Sequence, residues 1–197
     1  MRIIGGKHRG TVLAAPGAAG GGEAHLRPTS DRTREALFNL LAHSGMTLPG
    51  GATPPNGARV LDLFAGTGAL GFEALSRGAA RVHFVDDAAA SRALIRENAE
   101  KLRATGDTKI WKRDATGLGA WTAAPHDLVF LDPPYGMGLG ERALASALAG
   151  NWIADGALVV WEERSGVPIT PPPGAMILQE RGYGEATIRI YRIKTAP

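Results

Sequence analysis

Cysteine is absent from the 197-residue chain, which excludes disulfides, thiolate metal sites and cysteine nucleophiles. Long apolar runs are absent as well, since nothing approaches the roughly 18 consecutive apolar residues of a membrane span. The opening Met1-Arg2-Ile3-Ile4-Gly5-Gly6-Lys7 lacks the apolar stretch of a secretory signal, which favours a cytoplasmic chain without a membrane partner. No one sign of charge dominates, the net value being +3. Internal repeats are missing too, and the one low-complexity tract is the glycine-rich connector between Gly17 and Gly22. With 44% hydrophobic and 21% charged residues, the composition is that of a globular protein with one well-buried core.

The modest charge is unevenly placed. Residues 1–43 hold Arg2, Lys7, Arg9, Arg27, Arg32 and Arg34 against Glu23, Asp31 and Glu35, so this segment carries the whole +3. The rest balances at 16 basic to 16 acidic residues. A neutral body with a basic amino-terminal piece suits a polyanionic partner, although a solvated basic surface would give the same count. Lys7, Arg9, Arg27, Arg32 and Arg34, with Thr29 as a hydrogen-bonding neighbour, are the candidate contacts to nucleic-acid phosphates.

Residues 1–15 read as a short hairpin turning at Gly5-Gly6. A helix begins near Thr29 or Ser30 and runs through Ala36, Leu37, Leu40 and Leu41 on one apolar face. Residues 44–58, rich in proline and glycine, form a loop. Then strands alternate with helices. Val60–Phe64, Val82–Val85, Lys109–Trp111, Leu128–Leu131 and Ala157–Trp161 read as strands, with helices over 68–77, 88–104 and 138–149 between them. Such alternation predicts a parallel sheet covered on both faces. Ala175–Arg181 and Ala186–Ile193, joined at Gly182-Tyr183-Gly184, predict a hairpin at one edge of that sheet.

Two stretches carry chemistry. Asp62-Leu63-Phe64-Ala65-Gly66-Thr67-Gly68-Ala69-Leu70-Gly71 ends the first strand of the alternation and opens a helix, so glycines bring backbone close to a ligand at a helix amino terminus. Asp86 lies 20 residues after Gly66, at the end of the next strand, where an acid can hold ribose hydroxyls. The loop therefore indicates a nucleoside cofactor, NAD included. Asp62 tilts the balance, because an acid there repels a pyrophosphate and attracts a cofactor bearing an α-ammonium and a sulfonium. Asp114, after the third strand, is placed either to accept from an adenine amino group or to cap a helix.

The second stretch is Leu128-Val129-Phe130-Leu131-Asp132-Pro133-Pro134-Tyr135. A buried strand stops at an acid, and two prolines stiffen the turn beyond it. An exocyclic amine on a nucleobase shares its lone pair with the ring and is a poor nucleophile. Asp132 and the Pro133 carbonyl could accept both of its N–H groups and stabilise positive charge developing on nitrogen, while Tyr135 stacks on an extruded base. No metal is required.

Together, Asp62-x-Phe64-Ala65-Gly66-x-Gly68-Ala69-Leu70-Gly71-x-Glu73-Ala74 and Asp132-Pro133-Pro134-Tyr135 resemble a class I methyltransferase acting on amino nitrogens. Met1-Arg2-Ile3-Ile4-Gly5-Gly6-Lys7-x-Arg9-Gly10 and Leu26-Arg27-Pro28-Thr29-x-Asp31-Arg32-x-Arg34-Glu35 resemble the RsmD group specifically, bacterial enzymes that methylate N2 of a guanine in small-subunit ribosomal RNA. The resemblance covers nearly the whole chain. It implies a Rossmann-like α/β fold, with a mostly parallel seven-stranded sheet, a C-terminal antiparallel hairpin and a small N-terminal extension. The expected organisation is an RNA-contacting hairpin and helix over 1–44, a loop over 45–58 and an S-adenosylmethionine-dependent domain over 59–197. It further implies cofactor contacts at Asp62, Phe64, Ala65, Gly66, Thr67, Gly68, Asp86 and Asp114, catalysis at Asp132 through Tyr135, and a monomer acting on ribosomal RNA within a small-subunit particle.

Three other readings stay open on the residues alone. An adenine-N6 methyltransferase on DNA or RNA could use Asp-Pro-Pro-Tyr equally, although guanine's N1–H suits a carboxylate slightly better than adenine's N1 acceptor. An NAD-dependent oxidoreductase fits the glycine loop but has no use for the second motif. An RNA-binding assembly factor would need the basic segment without the catalytic residues.

Overall fold

The computed structural model describes residues 1–15 and 30–195. Among these, seven strands form one sheet: β1 Arg59–Leu63, β2 Arg81–Val85, β3 Thr108–Trp111, β4 His126–Leu131, β5 Ile153–Arg164, β6 Ala175–Tyr183 and β7 Ala186–Ile193. The order across the sheet is β3-β2-β1-β4-β5-β7-β6. β1 through β5 run parallel, and β7 inserts antiparallel between β5 and β6. Strand order reverses beside β1, which pairs with β2 on one side and β4 on the other, so the ligand crevice falls at their carboxyl ends.

Helices α1 Asp31–His43, α2 Ala69–Ser76, α3 Ala89–Lys101 and α4 Leu139–Ala149 cover the two faces. Ser30 caps α1, its hydroxyl accepting from Thr33 N at 3.1 Å. One face of the sheet packs Val60, Val82, Phe84 and Phe130 against Leu37, Phe38, Phe72 and Ile95 of the helices. The other packs Leu61, Leu63, Val129 and Trp161 against Ala143, Leu144 and Ala147 of α4. A Cβ on Gly140 would overlap the Trp161 indole, so only glycine lets α4 lie this close to β5.

The amino-terminal segment belongs to the same core. Ile3 and Leu13 are buried with Leu37, Phe38 and Leu41 and with the sheet residues Val60 and Phe130. It is not the regular hairpin expected from sequence. A single antiparallel bridge joins Arg2 and Val12, with a 3-10 turn over Gly6–His8. The reason is that its donors go elsewhere: Ile4 N and Gly5 N both donate to the Glu73 carboxylate on α2, each at 2.8 Å. Most other boundaries move by a residue or two. The exceptions are α3, which ends at Lys101 rather than at 104, and β5, which starts four residues earlier than its apolar run and continues through Glu162-Glu163-Arg164. No described helix is long and apolar enough to cross a membrane.

Candidate active site

The glycine loop leaves β1 through a left-handed residue, Phe64 at φ +58°, followed by Gly66 at +56° and Gly68 at +77°. Phe64 bears a cost of roughly 1–2 kcal/mol for that conformation, strain of the kind concentrated at ligand sites. Gly71 serves packing rather than turning, since a Cβ there would overlap Phe84 and Val82. Its N–H donates to Asp62 Oδ2 at 2.9 Å. Asp62 is buried, and desolvation, reinforced by the nearby Asp86 charge, pushes its pKa up to about 8 against the pull of the Gly71 bond.

Asp86 at the end of β2 braces the same loop. Its Oδ2 accepts from Gly66 N and its Oδ1 from Ala88 N, both at 2.9 Å. Burial raises its pKa as well, with the two backbone bonds opposing. Asp114 caps the turn Ala115–Gly117, accepting from Thr116 N and Thr116 Oγ1 at 2.8 Å each, bonds that hold its pKa below the usual carboxylate value. Of the two roles that sequence left open for Asp114, the cap is the one made by the protein itself.

Two acids with raised pKa values suit a ligand that brings positive charge and hydroxyl donors. S-adenosylmethionine fits that demand, whereas a pyrophosphate would add negative charge to it.

Asp132, Pro133, Pro134 and Tyr135 follow β4 directly. Because β1 and β4 are neighbours with Leu63 opposite Leu131, this turn stands beside the glycine loop. Tyr135 donates its hydroxyl to Glu162 Oε1 at 2.5 Å, and Gly136 N donates to Glu163 Oε1 at 3.1 Å. Burial, then the bond and charge of Glu162, raise the Tyr135 pKa far above the ordinary phenol range. Tyr135 and Glu162 line a cavity of about 610 Å³ with Ser30, Arg32 and Thr33 of the α1 start and Tyr183 of β6.

The candidate RNA contacts divide. Arg32 is exposed and faces this cavity. Lys7 and Arg9 are exposed on the Gly6–His8 turn, which docks on Ser76 at the carboxyl end of α2 through His8 N at 2.9 Å and Gly5 O at 2.6 Å. That end is about 12 Å along the helix from the glycine loop. Arg34 must be corrected. It is fully buried, bonding Arg2 O at 2.6 Å and Asp31 Oδ1 at 2.8 Å, so it fastens α1 to the amino-terminal segment and cannot reach a phosphate. Arg27 and Thr29 lie outside the described residues.

Sequence reasoning missed Glu162 and Glu163 because the strand was ended at its last apolar residue. It also missed Asn98, buried on α3, whose side chain holds Ala14 N at 2.6 Å and Thr67 O at 3.0 Å. Glu73, quoted for its place in a motif, had no stated role. Here it accepts from Ile4 N, Gly5 N and, at 2.6 Å, Arg77 Nε.

A glycine loop after β1, acids closing β1 and β2, and Asp-Pro-Pro-Tyr after β4 on this strand order define the Rossmann-like class I methyltransferase fold. Within that class, the chain belongs to the family described as conserved hypothetical protein 95, whose model matches residues 1–192. It is 38% identical over 195 residues to Ribosomal RNA small subunit methyltransferase D of Escherichia coli (strain K12), covering 98% of this chain and 89% of that one. The Haemophilus influenzae protein of the same name is 33% identical over 198 residues, covering 98% and 93%. A solved Escherichia coli structure, yhhF, superimposes with a TM-score of 0.80 at 34% identity, over 100% of this chain and 99% of that one. The resemblance to the RsmD group drawn from the motifs is thus met across the whole chain.

Proposed function

We propose that this protein transfers the methyl group of S-adenosylmethionine to the exocyclic N2 amine of a guanine in small-subunit ribosomal RNA. The observation that carries the reading is the seating of Asp132-Pro133-Pro134-Tyr135 at the end of β4, beside the glycine loop, with Tyr135 lining the cavity that Arg32 also lines. Bound S-adenosylmethionine supplies an electrophilic methyl on a sulfonium. Asp62 with the Phe64–Gly68 backbone would hold its amino-acid end, Asp86 its ribose and Asp114 its adenine edge. Asp132 and the Pro133 carbonyl accept the two N–H groups of the target amine, drawing its lone pair out of conjugation. Asp132 then stabilises the positive charge that grows on nitrogen. Tyr135 stacks on the extruded base, and Arg32 meets the phosphates that follow it into the cavity.

The names of the relatives at 38% and 33% identity support ribosomal RNA of the small subunit as the substrate. The test is mass spectrometry of nucleosides from that RNA, treated with protein and S-adenosylmethionine as free RNA and as assembled subunit. A gain of N2-methylguanosine is expected. A gain of N6-methyladenosine would move the reading to adenine, and no gain in either sample would refute it.

A further inference from the structure

Glu162 is 8% exposed, yet it borders the cavity that Tyr135 opens into. Its place follows from register. β4 and β5 are parallel with Leu131 opposite Trp161, so Asp132 and Glu162 are each the next residue along neighbouring strands. Such residues share a face of the sheet and lie about 4.8 Å apart across the ladder. The strand register therefore sets two carboxylates side by side at the strand ends, the second of them bordering the cavity. Tyr135 orients the second of them, donating its hydroxyl to Glu162 Oε1 at 2.5 Å. A carboxylate only accepts, and it has capacity for several donors, so that bond does not exhaust it.

We propose that Glu162 is a specificity-determining residue that accepts the N1–H of the target guanine while Asp132 takes the N2 amine. This rests on the guanine-N2 reading above. Guanine presents N1–H and N2–H₂ as adjacent donors on one edge, and a pair of neighbouring acceptors matches that edge. Adenine offers its amine beside a bare N1 lone pair, which would face the Glu162 charge. The arrangement thus separates two bases that Asp-Pro-Pro-Tyr alone treats alike. Tyr135 has a double part, stacking on the base and holding Glu162 at the level where N1–H arrives.

The probe is RNA carrying either guanine or 2-aminopurine at the methylated position. Both have the N2 amine, but 2-aminopurine has no N1–H. Transfer of labelled methyl gives kcat/KM on each RNA, and their ratio is internal to each enzyme preparation, so partial misfolding cancels. Wild type should prefer guanine by about 100-fold or more, because a site built for a donor rejects an analogue lacking it. Glu162→Gln should cut that ratio to within about 10-fold, since an amide can donate to the bare N1. Tyr135→Phe should lower it by a smaller factor by releasing Glu162. An unchanged ratio in Glu162→Gln overturns the proposal, as does a wild-type ratio near one. If Glu162→Gln transfers to neither RNA, Tyr135→Phe decides by the same ratio, a fall supporting the role and an unchanged value overturning it. A wild type that transfers no methyl to guanine N2 at all refutes the proposed function itself, a different result from lost discrimination.

Discussion

Asp62→Asn isolates the most perturbed acid at the cofactor loop. Asp62 is buried with a pKa of about 8, against an ordinary value of 3.8. The sign follows from linkage. Between those values the unfolded chain releases a proton that the folded protein keeps, so the Asp62 contribution to stability without cofactor falls as pH rises from about 4 to 8. Each pH unit in that span costs about 1.4 kcal/mol, which amounts to roughly 4 kcal/mol by pH 7. Asparagine keeps the acceptor for Gly71 N and removes the ionisation. The variant should therefore be more stable than wild type, by a margin that widens with pH and levels off above 8. Urea unfolding of both proteins at half-unit steps from pH 5 to 8.5 gives this margin directly, and the subtraction cancels the titrating groups that do not interact with Asp62. With saturating S-adenosylmethionine the order should reverse, because only the carboxylate meets the ammonium. A margin that stays flat with pH would refute the burial argument. A widening margin with undiminished cofactor affinity in the variant would instead refute the ammonium contact.

Other expectations follow from the remaining geometry. His126 is buried against Trp152, its Nδ1 2.7 Å from the Trp152 carbonyl and its Nε2 2.9 Å from His83 Nδ1, and burial lowers both pKa values to about 4. These imidazoles stay neutral in the fold while the unfolded chain protonates below 6.5, so their contribution to stability falls as pH drops from 6.5 to 4, by about 3 kcal/mol for His126 and less for half-exposed His83, against the opposite slope of Asp62. The difference in thermal unfolding between wild type and His126→Gln across that range checks this, and a variant with the same slope as wild type would refute it. Asp132→Ala should lower kcat by about 100-fold or more while calorimetry finds cofactor affinity within a few-fold, since Asp132 is proposed to hold the target amine rather than the cofactor. Loss of cofactor binding instead would reassign it. Charge removal at Lys7 and Arg9 together should lower the slope of log RNA affinity against log salt by roughly 0.7–0.9 per contact. Equal affinities and parallel salt lines would mean that the turn is only a solvated surface.

Much of the fold was legible because apolar runs and glycine or proline punctuation are local signals. β1 through β4 were found by their hydrophobic cores, and their carboxyl ends carry both motifs, so Asp62, Asp86 and Asp132 could be placed before any coordinate. What escaped is long-range and polar. Arg34 looks in sequence like Arg32 two residues earlier, yet one is sealed under the amino-terminal segment and the other faces the cavity. Helical position separates them: Arg34 falls in register with Leu37, Phe38 and Leu41 on the buried side of α1. Glu162 was discounted because burial of an acid has no signature in composition.

Asn98 shows why such residues bear on function. One carboxamide accepts from Ala14 N and donates to both Ala14 O, at 3.2 Å, and Thr67 O. The amino-terminal segment and the glycine loop are thereby joined at a single buried group, with three backbone partners that would otherwise need water. Glu73 makes a second such link from α2, the helix that the glycine loop opens, to Ile4 and Gly5. Lys7 and Arg9 do not line the cavity, but the segment whose Gly6–His8 turn carries them is fastened, at Ala14 through Asn98, to the loop proposed to hold the cofactor. RNA seated on that turn would therefore load the same polar ties that fix the glycine backbone. The basic segment is tied to the glycine loop through Asn98, a connection that neither charge counting nor motif spacing could express.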